Sequence, residues 1–507
     1  MKKITLISLA FVLILGSCKK ITDGVNVDPN RPTDVGTRYD LLINGAELST
    51  ILLFEGELAR LGGMFSRTFT GVDRQYISEY NYEITAGNFD DNWDRLYAII
   101  VANTKVTIDK ATTVNDKTSA GIAQVLQAMA FGLAADLWGD VPFSEAGNPA
   151  MFPTPKFDAQ ATVYAGVQTL LSTAITNLQA NVGAGPGAKD FFYQGSRTKW
   201  IAAAYTLKAR YFLHTKEYTN AITNASLGIS SAANNLVAPH GPSYLSSFNV
   251  YYSFLTYDRS AYMSASISTA ADLIDPSKPT YRGNAKTDET NRFNYLFQTD
   301  LNLTTGELEP NVLVDFDWGV PSSLNGFFGA TSSFPIITFE ENQLILAEAN
   351  LKQAAADPTK ALSALNTHRA YLNTGGTTNT GATVSTGYAT SSSAAYGIVA
   401  KAPKYLPYLI TDFAPGGIRN SVASGQSTNQ ALLREIITER YVSFIGQIEQ
   451  FNDVRRTKNF LGIPAVKGTK LPQRYLYAQS EINTNPNTPP VVASDLFKET
   501  PINTTPY

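Results

Sequence analysis

The 507-residue sequence has one cysteine, Cys18, and three histidines, His214, His240 and His368. That scarcity excludes disulfide frameworks, thiolate metal clusters and multi-histidine metal centres, so stability must come from packing. Charge is scarce as well: Asp, Glu, Lys and Arg make up 16% of the chain, against about 25% in typical soluble proteins. With 40 Lys and Arg against 43 Asp and Glu, the formal charge is −3. No basic field exists to gather phosphates, which argues against a nucleic-acid partner. Catalytic signatures are also missing: there is no G-x-S-x-G, no H-E-x-x-H and no Walker sequence, and Lys467-Gly468-Thr469 has the order wrong. The glycines Gly183, Gly185 and Gly187 lack the third glycine of a dinucleotide loop and read as a turn. No cofactor and no metal is expected. Beyond the N-terminus no stretch offers 18 consecutive apolar residues, the length that would begin to span a bilayer.

The N-terminus is different. Lys2 and Lys3 precede an apolar run from Ile4 to Leu15, about 12 residues, which is short for a membrane span and right for a secretory signal. The run ends in Leu15-Gly16-Ser17-Cys18, which resembles the lipobox of bacterial lipoproteins. On that reading residues 1–17 are a signal peptide and Cys18 receives a diacylglycerol. Several acyl chains at about 0.8 kcal/mol per buried CH₂ make such an anchor stable. Lys19 to Gly36, rich in Gly, Asn, Asp and Pro, has the composition of a tether.

From Arg38 onward apolar residues recur at three- and four-residue spacing, predicting helices near 37–62, 90–112, 115–139 and 159–180. A fifth begins after Ser196 with Trp200, Ala204, Leu207 and Tyr211 on one face, and a sixth covers about 220–230. Small residues such as Ala204, Ala209 and Ala221 let paired helices approach, in the manner of a tetratricopeptide pair. The pattern returns around Leu344–Leu351 with Ala361–Leu365, and again over 428–445 and 447–460. The fold class expected is all-α: a tetratricopeptide-like helical-repeat scaffold with helical pairs over about 37–235, 338–372 and 428–460 and little β structure. Two stretches interrupt it. An aromatic insertion at about 240–335 contains β-like runs such as Tyr251–Tyr257 and Phe293–Tyr295, and a polar loop occupies 373–425. The tail from Pro486 is expected to be extended.

Several strings together resemble the SusD/RagB family of nutrient-binding outer-membrane lipoproteins. They are Ala135-Asp136-Leu137-Trp138-Gly139-Asp140-Val141-Pro142-Phe143 with Ser144-Glu145-Ala146; Glu439-Arg440 with Phe444, Gly446, Phe451, Asp453, Arg455 and Arg456; and Leu471-Pro472 with Arg474, Tyr475, Tyr477, Glu481, Asn483 and Asn485. Trp93, Tyr97, Ile100 and Ala102-Asn103 resemble the family's second helix. The sequence departs from the family at Gln447–Gln450 and at Arg474–Tyr477. The resemblance implies residues 37–507 forming one SusD-like domain, lipid-anchored at the outer membrane and facing the cell surface. It implies a non-catalytic protein that captures an oligosaccharide, or a peptide, and delivers it to a TonB-dependent transporter of the SusC type.

Charges of the signature strings, set at helix ends beside aromatics, read as structural ion pairs, and Trp93 and Trp200 as core. Sugar binding needs flat aromatic faces with a few amide, carboxylate or guanidinium groups. Such mixtures occur outside the helices at Asp73, Arg74, Tyr76 and Tyr80, and within the insertion at Tyr257, Arg259, Asn294, Tyr295, Phe316 and Trp318. These are the candidate ligand-binding residues. Because a glycosidase needs only two carboxylates, a lipid-anchored glycoside hydrolase stays open at this stage. So does a helical-repeat scaffold without a small ligand.

Overall fold

Helix starts are written into the sequence as caps. Asp116 accepts a hydrogen bond from the Ser119 N–H at 3.1 Å, Ser427 and Gln430 form a capping box, and Asp357 precedes Pro358 at a helix start. The computed structural model describes residues 38–243, 246–301, 308–312, 327–374 and 404–507. Its main helices are α1 (Tyr39–Glu55), α2 (Glu57–Phe65), α3 (Ala102–Thr113), α4 (Lys117–Trp138), α5 (Gln160–Gln179) and α6 (Arg197–His214). They continue with α7 (Tyr218–Ala225), α8 (Phe339–Lys352), α9 (Pro358–Leu372), α10 (Thr428–Ser443) and α11 (Ile448–Arg456). Sequential helices pack as pairs: α3 on α4, α4 on α5, α6 on α7, α8 on α9. The tetratricopeptide-like, mostly helical architecture is therefore as expected. Asp40–Tyr507 forms one compact unit.

Helix α4 lies at the centre. By length and composition it is apolar enough to cross a membrane, yet 94% of its apolar window is buried inside the body, the mark of a core helix. The large core joins α1 to α6 with rings of the insertion, and two smaller clusters lie between α8, α9 and α10 and between α6, α7 and α8.

Strands are few and short. They are β1 (Thr70–Gly71), β2 (Val141–Pro142), β3 (Phe157–Asp158), β4 (Leu236–Ala238), β5 (Met263–Ser264), β6 (Thr287–Asp288), β7 (Phe297–Leu301), β8 (Leu308–Val312), β9 (Phe334–Ile337) and β10 (Lys404–Tyr405). They form five antiparallel pairs, of which β1–β5 matters most below, with Thr70 opposite Ser264 and Gly71 opposite Met263.

Four details differ from the sequence reading. The helix expected over 37–62 breaks at Gly56, where a Cβ would lie 2.1 Å from the Leu52 carbonyl oxygen. The helix at 90–112 runs through a π-helical stretch, Arg95–Val101. Both β-like runs are helical: Asn249 caps Val250–Ser253, with Phe254–Asp258 following as a π turn, and Phe293–Tyr295 lies in the helix Thr290–Leu296. Their rings read as strands because aromatics favour sheets, but burial of Tyr251, Tyr252, Phe254 and Leu255 follows a helical face. The tail beyond Pro486 contains two 3₁₀ turns rather than running extended throughout. It ends with the Tyr507 hydroxyl donating to Glu348 at 3.0 Å.

Candidate functional site

The chain leaving α2 is turned back by Gly71, whose missing side chain lets the Tyr76 carbonyl approach; a Cβ would lie 1.8 Å from that oxygen. Asp73 and Arg74 follow on the exposed tip, before the short helix Gln75–Tyr80. Arg74 has φ 45° and ψ −129°, a conformation that a residue with a side chain adopts at a cost of about 1–3 kcal/mol. The second loop is the π turn Phe254–Asp258 and the residues after it, where Ala261 also has positive φ, 63°. Besides the β1–β5 pairing, the Val72 N–H donates to the Tyr262 carbonyl at 2.9 Å, so the two loops are stitched together. Arg74 and Ala261 at positive φ and the π turn Phe254–Asp258 thus come together at one rim.

The side chains form a ring-and-guanidinium cluster. The Arg74 and Arg259 guanidinium carbons lie 5.6 and 5.9 Å from the centroid of the half-buried Tyr262 ring. Exposed Tyr257 stacks on Phe248 at 6.0 Å and 24°. Beneath, Tyr76 packs edge-on against Tyr262 and Phe254, and the Arg60 guanidinium covers Phe254 at 4.0 Å. Asp73 pairs loosely with Arg74 at 3.8 Å, both side chains being solvent-exposed. Aromatic faces flanked by water-facing guanidinium donors are equipped to hold a hydroxylated ring without reacting with it. The group nearest to a general acid is Glu79, whose carboxyl is raised to about 7 by burial and the neighbouring Glu57. It is 5% exposed beneath the rings, so a substrate does not reach it.

The structure thus brings Asp73, Arg74, Tyr257 and Arg259 to one rim. Tyr76 and Tyr80 lie directly below it, at 5% and 8% exposure, and burial pushes the Tyr76 phenol up to about 12. Tyr80 accepts a hydrogen bond from Arg67. Tyr295 is fully buried against Phe327, with no ring face to offer a ligand, and Asn294 lies in the helix Thr290–Leu296. Phe316, Trp318 and Cys18 fall outside the described residues. Tyr262 was not singled out from sequence. Its local signal, a lone tyrosine after Arg259-Ser260-Ala261, is weak because its partners come from the distant first loop.

The signature charges lie in the interior instead. Arg440 holds Asp453 through two bonds of 2.8 and 3.0 Å, and Arg456 holds Glu348 through two of 2.5 and 2.7 Å. Glu439 meets Arg282 and Arg292, each at 2.7 Å, and His368 at 3.0 Å. Trp93, Trp138 and Trp200 are core residues. His214 sits between Asp136 at 2.7 Å and Glu449 at 3.2 Å. Burial alone would lower its pKa, but Asp136 and Glu449 outweigh that and raise it to about 9. One ligand atom from each of the three lies within 4.8 Å of the others, the spacing of a metal-binding set, while the two carboxylate contacts go to opposite nitrogens of one imidazole, the arrangement of a buried ion-paired histidine.

With this geometry in hand, comparison with known proteins is decisive for the family. Residues 29–478 match the SusD-like family model described as starch-binding, associating with the outer membrane. The chain belongs to the SusD-like family. Seventy-two solved chains match this SusD-like protein in fold. A SusD/RagB family protein from Bacteroides thetaiotaomicron aligns with TM-score 0.64 and 20% identity, over 93% of this chain and 98% of that one. A chitin-binding SusD homolog from Flavobacterium johnsoniae aligns with TM-score 0.59 and 15% identity, over 87% and 93%. A SusD homolog from Bacteroides uniformis gives 0.56 and 17%, over 89% and 94%. No curated protein matches the sequence. The SusD-like family is carbohydrate-binding and associated with the outer membrane, and its members, this SusD-like protein included, are non-catalytic.

Proposed function

We propose that the protein captures an oligosaccharide at the rim built by Asp73, Arg74, Tyr257, Arg259 and Tyr262 and hands it to a SusC-like TonB-dependent transporter. It is held on the outer membrane, facing the cell surface, by a lipid on Cys18. The observation that carries the binding reading is the pair of guanidinium groups flanking the Tyr262 ring beside exposed Tyr257. The exposed ring of Tyr257 suits the C–H face of a sugar, while Arg74 and Arg259 donate to hydroxyls and Asp73 accepts from them. Tyr76 and Tyr80 support this surface from beneath. The family's description as starch-binding and the chitin-binding relative favour glycans of that kind over peptides.

A thermal-shift screen of the mature chain against malto-oligosaccharides, chito-oligosaccharides and short peptides tests the ligand class. A glycan should raise the melting temperature in the native protein, and most of that rise should be lost in Tyr257→Ala combined with Tyr262→Ala; an undiminished rise in the double variant, or a response only to peptides, contradicts the proposal. The anchor has its own test: Cys18→Ala should abolish fatty-acid labelling and release the protein from membranes, whereas persistent labelling contradicts it. Retention of a barrel protein in detergent pull-downs tests the partner.

A further inference from the structure

A second concave site opens on the helical side of the molecule, sharing no residue with the rim. It is a cavity of about 330 Å³ walled by α3, α4, Leu170 of α5 and the 143–152 segment, within the range of about 300–1,000 Å³ usual for small-ligand pockets. Its floor carries two glutamines three positions apart on α4, and therefore on one face. Gln124 and Gln127 are only 8% and 9% exposed. Each has half of its amide engaged. Gln124 Oε1 accepts from Asn177 at 2.9 Å, and Gln127 Nε2 donates to Thr104 Oγ1 at 3.3 Å. Among the described residues nothing meets the Gln124 amino group or the Gln127 carbonyl oxygen. Neither of these two atoms is sealed from solvent, so water meets them in the free protein and a ligand's hydroxyls can take its place.

The walls complete the picture. Phe131 and Phe143 meet edge to face at 4.8 Å and 77°, giving the cavity an aromatic side. At the mouth Lys105 is neutralised by Asp109 at 3.3 Å, leaving Glu145 as the uncompensated charge in the lining. An anionic ligand is therefore disfavoured. We infer that this cavity is a second binding site that takes one neutral pyranose ring. Of two adjacent hydroxyls, one donates to Gln127 Oε1 and the other accepts from Gln124 Nε2, while the ring's C–H face lies against the phenylalanine wall. Glycans held at the rim and here would occupy two separate places on the protein.

Saturation-transfer NMR of the mature chain with the methyl glycosides of glucose, galactose, mannose and N-acetylglucosamine, and with glucuronic acid as a charged control, tests this. At least one neutral glycoside should show saturation in the native protein and in Tyr262→Ala, which disables the rim. The signal should fall at least fivefold in Gln127→Met and in Phe152→Ala, with unchanged melting temperature. If Gln127→Met does not fold, Phe152→Ala at the half-exposed edge of the cavity carries the test. Absence of saturation by every neutral glycoside, full signal in the folded variants, loss of signal in Tyr262→Ala, or equal response to glucuronic acid overturns the proposal. Failure here leaves the rim's oligosaccharide binding to stand or fall by its own titration.

Discussion

In the helical body a charge meets its opposite inside the core: Arg440 and Glu439 are both 0% exposed and both paired. At the rim Arg74 keeps its guanidinium in water, 71% exposed, with only a loose contact to Asp73. Buried pairs fix how helices join because either charge alone is intolerable there. Exposed donors beside aromatic faces contribute little to folding and remain available for a ligand. Body and rim should therefore respond to mutation in opposite ways.

The largest effect is expected in the body. Glu439→Ala removes one of the two carboxylates shared by buried Arg282 and Arg292, Glu289 being the other, and should cost about 3–5 kcal/mol in denaturant unfolding. A loss below about 1 kcal/mol would break the distinction. The next effect is on pH dependence. The His214 pKa is raised to about 9, and the Glu47 carboxyl is raised to about 10 by burial and by Asp190 beside it. Both folded values exceed the ordinary ones. The stabilisation is thus complete below about pH 6.5 for the imidazole and about pH 4.5 for the carboxyl, and is lost as pH rises through the folded values. The melting temperature should fall between pH 7 and pH 10, and Glu47→Gln should flatten that fall.

At the rim the sign reverses. Tyr262→Ala should weaken glycan binding by about 1–2 kcal/mol in calorimetry, roughly tenfold, and shift stability by less than about 1 kcal/mol. The smallest effect is the most diagnostic. Arg74→Gly relieves the positive-φ backbone and should stabilise the fold by about 0.5–1 kcal/mol while weakening the ligand. A variant that is both less stable and fully able to bind would remove Arg74 from the site.

Much of the body was legible in the sequence because helical periodicity and capping are local. Trp200, Ala204, Leu207 and Tyr211 recur at helical spacing, and three of them, Trp200, Ala204 and Leu207, are 0% exposed. The rim was only half legible. Asp73, Arg74, Tyr257 and Arg259 stand out by residue type, but Tyr262 joins them through the β1–β5 ladder, a pairing of two-residue strands far apart in the chain with no periodic signal. Tyr295 shows the converse error: an aromatic in an insertion looks like a binding ring until burial is known. The break at Gly56 and the helical form of Tyr251–Tyr257 depend on close packing and on the Asn249 cap, which composition alone does not reveal.

The central claim is tested most directly by a crystal structure of the mature protein with an oligosaccharide that it retains. The account predicts the glycan lying across Tyr257 and Tyr262 within hydrogen-bond reach of Arg74 or Arg259, at its original chain length. A glycan bound with the rim empty, or recovered as shortened products, would contradict it.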